Sequence, residues 1–247
     1  MRTERSVHRT ILPLLVVASL PLILGLVFGA FGHVRTDGGD REHSAESVSL
    51  PTQSGESDVS VEEAIANRRS RREYGEEALS RRELGQLLWA AQGVTEGTTG
   101  YRAAPSAGAL YPLEVYVVVG TPGVDDLEKG IYHYRPENHE LTRRKIGTVQ
   151  SELRAAGVDQ EPIGEAAIDI VVCAVDERAT GKYGERGRKR YVPMEAGHAG
   201  ENLYLQAEAL GLATVSIGAF SDDHVRDVLG IPTSQRPLYI FPVGGRT

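Results

Sequence analysis

The chain has 247 residues, which corresponds to one large domain or two small ones, and a chain of this length folds without needing disulfides. Cys173 is its single cysteine, which excludes an intramolecular disulfide, a cysteine-rich zinc site and an iron–sulfur cluster held by one chain. The formal net charge of −7 argues against nucleic acid as a partner, because nucleic-acid binders normally present a basic face.

An uncharged apolar segment lies near the N-terminus. Residues 11–31 could cross a hydrocarbon core of about 30 Å as a helix. Arg2, Arg5 and Arg9 precede the segment, so the positive-inside rule places the N-terminus in the cytoplasm. The sequence therefore predicts a basic start and a single-pass membrane anchor over residues 1–31, with the remaining chain extracytoplasmic. A cleaved signal peptide, giving a secreted or periplasmic protein, and a misassigned start or buried helix are the alternatives.

The composition changes after the apolar segment. Residues 32–58 are rich in Gly, Ser, Asp, Glu and Thr and contain almost no large apolar side chain, so they predict a flexible tether. Ser60 and Glu63 then have the spacing of a capping box at a helix N-terminus. The folded domain is therefore predicted over residues 59–247.

Helical and strand patterns alternate irregularly in this domain. Ser80 and Glu83 repeat the capping-box spacing before an apolar helical face that ends near Gly93. The elements predicted further along are a strand at 115–119, a hairpin of 131–134 with 141–146, a strand at 168–175, a helix at 194–210, a strand at 212–220, a helix at 221–229 and a strand at 237–243. This irregular order, without an internal repeat, indicates an α+β sandwich and not a regular βαβ array.

A cluster of arginines follows the first predicted helix. Residues 68–72 read RRSRR in an otherwise acidic chain. Guanidinium groups and a serine hydroxyl are the donors that hold a phosphate. The alternative is a solvated basic end that interacts with the helix dipole.

Two later segments also stand out. Residues 104–119 (APSAGALYPLEVYVVV) place small residues before a strand, where the backbone can approach a flat ligand closely, although an ordinary turn has the same composition. Residues 182–191 (KYGERGRKRY) combine charges with tyrosines, which a merely solvated loop does not require.

The order of these segments resembles the flavin-dependent nitroreductase family. RRSRREY, PSAGALYPLEVYVV, KYGERGRKRY with EAGHAGENLYLQAEALGL, and SIGAF follow one another over residues 60–247. The set is most similar to the SagB-type dehydrogenase branch, which includes thiazoline and oxazoline dehydrogenases. The resemblance implies an α+β sandwich with a central, mainly antiparallel sheet flanked by helices, which binds FMN at the interface of a homodimer.

The resemblance also implies roles for individual residues. The FMN phosphate and ribityl end would be held by Arg68, Arg69, Ser70 and Arg72. The isoalloxazine ring would lie along Pro105, Ser106, Ala107 and Gly108, and its pyrimidine edge would meet Ile217, Gly218 and Ala219. Lys182 and Tyr183 match a pair used in proton abstraction, for which a lysine in a poorly solvated cleft is suited. The alternative for Lys182 is contact with the flavin or a surface carboxylate.

Several functional questions remain open at this level. The substrate is a small molecule or a peptide, and an NAD(P)H-dependent nitro or quinone reductase is an alternative to the dehydrogenase. A membrane-tethered flavin-binding module without turnover is a third reading. The helix at 194–210 is either a dimer seam or a helix packed tightly on the sheet. The seven histidines show no metal-ligand spacing, so no metal is predicted.

Overall fold

The computed structural model describes residues 46–247, and a central sheet forms the middle of this part. Its strands are β1 (Ser47–Ser49), β4 (Leu113–Val119), β5 (Gly130–Arg135), β6 (Glu140–Ile146), β7 (Ile168–Val175), β8 (Leu212–Thr214) and β9 (Gln235–Gly245), while β2 (Val94–Glu96) and β3 (Tyr101–Arg102) form a separate ribbon. The sheet order is β1-β6-β5-β4-β7-β9-β8, and every neighbouring pair is antiparallel. The predicted α+β architecture with a mainly antiparallel sheet is confirmed.

Helices cover both faces of the sheet. They are α1 (Val61–Asn67), α2 (Arg81–Gln92), α3 (Gln150–Ala156), α4 (Pro162–Glu165), α5 (Asp176–Tyr183), α6 (Val192–Ala209) and α7 (Asp222–Leu229). Alternation along β4 explains the two layers. Val115, Val117 and Val119 enter a core shared with α2 and α6, whereas Tyr116 and Val118 enter one shared with α3 and α7.

Strand β1 lies within residues 32–58, for which the composition predicts a tether. Val48 pairs with Leu141 of β6, and the Leu50 N–H donates to the His139 carbonyl at 3.1 Å. Pairing with the edge of β6 satisfies backbone groups, a long-range effect that composition does not report. The described fold therefore begins before residue 59, and residues 32–45 lie outside the described part.

The membrane localisation predicted from the sequence is corrected. Within residues 46–247, no helix is long and apolar enough to cross a membrane. The longest helix there is α6, which carries three glutamates among its 18 residues. Residues 11–31, on which the prediction rests, lie outside the described residues.

Helix α6 packs closely between α2 and the sheet because its inner face carries small residues. Ala196, Ala199 and Ala207 are buried there. At Gly200 a β-carbon would lie 2.9 Å from Cζ of Phe241 on β9, closer than ordinary van der Waals contact. Because Gly200 has no side chain, α6 can come this close to the sheet.

Two glycines on α6 are expected to respond in opposite ways to alanine. Gly197→Ala should raise the free energy of unfolding by up to about 1 kcal/mol, because its β-carbon would meet nothing within 4 Å and alanine favours the helix. Gly200→Ala should lower it by about 1–3 kcal/mol through overpacking against Phe241. Urea unfolding measures both, and equal responses at the two positions would contradict the packing described.

Candidate functional site

Backbone hydrogen bonds fix the arginine cluster against the edge of the sheet. Arg68 is the C-cap of α1. From there the chain crosses to the sheet, where the Arg71 N–H donates to Thr214 O of β8 and the Gly75 N–H to Gly245 O of β9, both at 2.9 Å. The segment between is held by its backbone, so its side chains are available to line a site.

A cavity of about 420 Å³ opens beside this segment. It is lined by Ser70, Arg71, Arg72, Glu73, Ala213, Arg246 and Thr247. Arg71 Nε is buried and finds no hydrogen-bond partner among residues 46–247. Arg246 bonds to the Glu208 carboxylate and to the Leu212 carbonyl. Three guanidinium groups and a hydroxyl around one cavity form a donor set that fits a phosphate group.

The four predicted phosphate ligands separate into two groups. Ser70 and Arg72 line the cavity, whereas the other two point elsewhere. Arg68 Nε lies 3.6 Å from a carboxylate oxygen of Glu201, and its guanidinium packs over an aromatic ring of α6. Arg69 Nη1 donates to two backbone carbonyls at the end of α1.

The Tyr204 hydroxyl connects two of the predicted segments. It lies 2.9 Å from the Ser70 hydroxyl and accepts a hydrogen bond from the Ser216 N–H at 2.8 Å. The predicted pyrimidine-edge residues follow directly. Ile217 exchanges backbone hydrogen bonds with Ile240 at 2.8 and 2.9 Å, and the next two residues, Gly218 and Ala219, are exposed. Residues 68–72, the arginine segment, and Ser216, which directly precedes residues 217–219, therefore meet at one side chain.

The loop predicted to face the flavin ring, residues 105–108 (the ring loop), meets the predicted proton-transfer pair, Lys182 and Tyr183. His198 Nδ1 of α6 donates to the Pro105 carbonyl at 3.3 Å, which ties the loop to that helix. Gly108 adopts φ +67°, and a β-carbon there would lie 2.7 Å from the Tyr183 hydroxyl and 2.9 Å from Lys182 Nζ. The bare glycine backbone therefore lets both polar atoms reach the loop.

A π-helical turn supports the pair at the end of α5. This turn, Gly187–Tyr191, leads into α6, and single π turns are frequent at functional sites. The Tyr183 and Tyr191 rings meet edge to face with centroids 5.0 Å apart, and Tyr191 accepts a hydrogen bond from Arg186 Nε at 2.9 Å. Lys182 is exposed in the single chain, whereas the sequence interpretation placed it in a poorly solvated cleft.

Helix α6 sets the spacing of the two halves of the site. His198 contacts the ring loop and Tyr204 contacts the arginine segment. Six residues separate these contacts, which corresponds to about 9 Å along the helix. The arrangement suits an elongated ligand with a phosphate at one end and a flat ring at the other.

A buried carboxyl group lies beneath the ring loop. Glu195 of α6 is only 2% exposed, and its Oε1 has no hydrogen-bond partner in the described part of the chain. Burial raises the pKa of Glu195 to about 7, with the Ser106 hydroxyl and the charge of Arg102 acting in the opposite direction.

Comparison with known proteins places this arrangement in a family. The model described as "Nitroreductase family" matches residues 65–245. The chain belongs to the nitroreductase family. Its members are oxidoreductases, and the match spans the arginine segment, the ring loop and the 217–219 segment, so the resemblance found in the sequence is confirmed.

Curated relatives of this nitroreductase-family chain include a protein named as a nitroreductase and a peptide-processing protein. The chain is 45% identical over 187 residues to MJ1384 of Methanocaldococcus jannaschii, which is named as a nitroreductase, covering 76% of this chain and 91% of that protein. It is 31% identical over 156 residues to the microcin B17-processing protein McbC of Escherichia coli, covering 62% of this chain and 57% of McbC.

The solved structures are consistent with the sequence matches. A structure named for a nitroreductase of Ralstonia eutropha superposes with a TM-score of 0.71 at 26% identity, covering 83% of this chain and 91% of that one. The E. coli microcin synthetase McbBCD complex with truncated pro-MccB17 contains a chain similar at a TM-score of 0.64 and 27% identity, covering 80% and 76%.

Sequence reasoning missed three residues of the site. Arg71 belongs to the cluster but was not assigned a ligand role, and Arg246 lies some 170 residues away near the C-terminus. Only the folded chain brings both to one cavity. The sequence could have indicated Glu195, because it is a charged residue among the small residues of the buried face of α6.

Glu195 is expected to make stability depend on pH in one direction. Its native pKa of about 7 exceeds the ordinary value of 4.5. The contribution of Glu195 to the free energy of unfolding is therefore complete below pH 4.5 and is lost as the pH rises to about 7. Glutamine does not titrate. The free energy of unfolding of Glu195→Gln relative to wild type should therefore rise by about 3 kcal/mol over this range and then stay constant.

Urea unfolding of the chain without added FMN, between about pH 5 and about pH 8, measures this difference. Glu152→Gln is the matched control, because Glu152 is an exposed residue of α3. A wild-type curve that stays parallel to that of Glu195→Gln would contradict the buried, proton-retaining carboxyl group.

Proposed function

We propose that this chain is an FMN-dependent dehydrogenase of the SagB type, which removes a hydride and a proton from a small-molecule or peptide substrate. The contact of Gly108 with Lys182 and Tyr183 carries the proposal. It puts an amine and a phenol beside the loop expected to face the flavin ring. Removal of a hydride requires a nearby group that takes the accompanying proton, so this pair favours the dehydrogenase over a nitro or quinone reductase fed by NAD(P)H.

The residues present fit FMN at both ends. Ser70, Arg71, Arg72 and Arg246 surround the cavity that would take the phosphate. Residues 105–108 would lie along the ring, and residues 217–219 would meet its pyrimidine edge. When bound, FMN supplies the two-electron acceptor, while the protein supplies binding, orientation and proton transfer.

The SagB-type assignment draws support from McbC and from the similar trifolitoxin-processing protein TfxB of Rhizobium leguminosarum, which is 34% identical over 117 residues. Both are named for the processing of a peptide product. The chain spans only 57% of McbC and 30% of TfxB. For this reason a peptide substrate is proposed for this chain and is not taken over from these relatives.

The proposal also includes a homodimer of this chain. Val61 and Ile65 of α1 and Met194 of α6 are large apolar side chains with 65%, 57% and 49% exposure. A second copy that covers these side chains would remove apolar surface from water.

Arg72→Ala is expected to weaken the binding of FMN but not that of riboflavin, which lacks the phosphate. Loss of one charge-assisted hydrogen bond should raise the Kd for FMN by roughly 10- to 100-fold and leave the Kd for riboflavin unchanged. Quenching of flavin fluorescence measures both constants. Arg82→Ala is the control, since Arg82 is an exposed arginine of α2 outside the cavity. Equal losses for both flavins, or no loss for FMN, would contradict the phosphate assignment.

Lys182→Ala and Tyr183→Phe are expected to retain FMN and lose turnover. The probe is a synthetic peptide with one thiazoline ring, and its oxidation to the thiazole, which is lighter by two hydrogen atoms, is followed by mass spectrometry. Turnover should fall by roughly 100-fold or more, because the proton acceptor is removed.

Lys189→Ala tests whether this loss is specific. Lys189 is an exposed lysine of the neighbouring π-helical turn and pairs with Glu185, so its removal should leave turnover intact. Undiminished turnover in Lys182→Ala would remove the pair from the reaction. Rapid anaerobic reduction of the bound flavin by NADPH, without any oxidation of the peptide, would favour the reductase.

A further inference from the structure

Another cavity, of about 320 Å³, adjoins the ring loop on its C-terminal side. Leu110 and Tyr111, which come shortly after the loop, form part of its wall, and the first residues of β4 and the last residues of β5 form another part. None of its lining residues belongs to the phosphate cavity or to the segments assigned to the flavin. Its chemistry is therefore not used by the proposed FMN site.

The wall beside the ring loop is a strained turn. Gly108, Ala109 and Tyr111 have φ +67°, +53° and +44°, and a bulky residue rarely adopts a positive φ. Hydrogen bonds fix Tyr111 in this conformation. Its N–H donates to Ser106 Oγ and its carbonyl accepts from Arg178 Nη1, both at 2.9 Å. Such turns persist only where surrounding contacts fix them, and they cluster at functional sites.

Gln92 of α2 brings an unused hydrogen-bond donor to this cavity. It lines the cavity and is 0% exposed, and its Oε1 accepts from Arg102 Nη1 at 3.2 Å. Because a guanidinium group has donors only, the reverse orientation of the amide would set two donors against each other. Nε2 therefore faces away from Arg102, and it has no hydrogen-bond partner among residues 46–247. A buried donor without a partner costs free energy, which an acceptor on a ligand would recover.

The charged side chains of the lining leave one positive charge. They are three arginines and two glutamates, namely Arg102, Arg135, Arg178, Glu114 and Glu137. Glu137 pairs with Arg102 at 2.8 Å, and Glu114 pairs with Arg178. Arg135 donates its Nε to Thr142 Oγ1 at 3.2 Å and pairs with no carboxylate in the described part of the chain. The cation that remains is therefore that of Arg135.

A carboxylate group matches both features of this cavity. When ionised it has acceptor oxygens only, so one oxygen can accept from Gln92 Nε2 while its single negative charge balances that of Arg135. A phosphate dianion would exceed the one positive charge of the lining. Water would accept the hydrogen bond without balancing that charge.

We propose that this cavity binds a carboxylate group of the substrate, with Gln92 and Arg135 as its principal ligands. Arg178 places the cavity beside the proton-transfer pair, because it lines the cavity and Lys182 follows it by one turn of α5, or about 6 Å along the helix. The role in substrate selection rests on the proposed function, whereas binding of a carboxylate requires neither FMN nor turnover.

NMR titration of the full chain without FMN tests the site. The probes are N-acetyl-glycylglycine and its C-terminal amide, which differ only in the charged group. Shifts of the Gln92 side-chain amide and of the Leu110 and Tyr111 backbone amides report binding in the cavity. The Kd of the carboxylate probe should be at least about tenfold lower than that of the amide. Arg135→Ala and Gln92→Leu should each raise the Kd of the carboxylate probe by roughly tenfold.

Arg144→Ala is the matched control, because Arg144 is an exposed arginine of β6 that does not line the cavity, and it should leave the Kd unchanged. Equal Kd values for the two probes in wild type, or equal losses in Arg135→Ala and Arg144→Ala, would overturn the proposal. Inorganic phosphate that binds at the same amides more tightly than the carboxylate probe would also overturn it. Should Gln92→Leu fail to fold, Arg135→Ala decides.

Turnover is a separate readout. A wild-type chain that binds the carboxylate probe selectively, loses this selectivity in Arg135→Ala and yet oxidises no peptide when loaded with FMN would count against the proposed function and not against the carboxylate site. A chain that oxidises the thiazoline peptide but binds both probes equally would overturn the carboxylate site and leave the proposed function standing.

Discussion

The close packing of α6 against the sheet is the constraint on which the site depends. Gly200 allows the helix to approach Phe241, and this close approach sets where the polar side chains of α6 lie relative to the sheet. His198 then meets the ring loop, and Tyr204 meets both the arginine segment and Ser216. A shift of the helix would disturb its contacts with both halves of the site, while the helical rise between His198 and Tyr204 sets the spacing of those contacts.

The two ends of the site use different physical means. At the phosphate end, a stable sheet edge fixes the backbone, and several guanidinium groups supply charge. At the ring end, a strained turn brings bare backbone to an amine and a phenol. Charge alone tolerates some variation in position, whereas proton transfer requires close contact. The strained geometry therefore stands where position matters most.

Local signals in the sequence predicted much of the fold. The capping box at Ser80 and Glu83 is present, and the hairpin of β5 and β6 and the buried strand β7 lie where the periodicity indicated. Each of these depends on neighbouring residues. Strand β1, the inclusion of Arg246 in the cavity and the turn at Tyr111 depend on contacts distant in the chain or on backbone strain, which neither composition nor periodicity reports.

A single site for the phosphate and the ring of FMN can be tested by the stoichiometry of FMN on the purified full chain after incubation with FMN and gel filtration. We expect one FMN per chain to elute with the protein, measured by flavin absorbance against protein concentration, if the phosphate cavity and the ring loop belong to one site. Complete separation of FMN from a folded protein would contradict such a site.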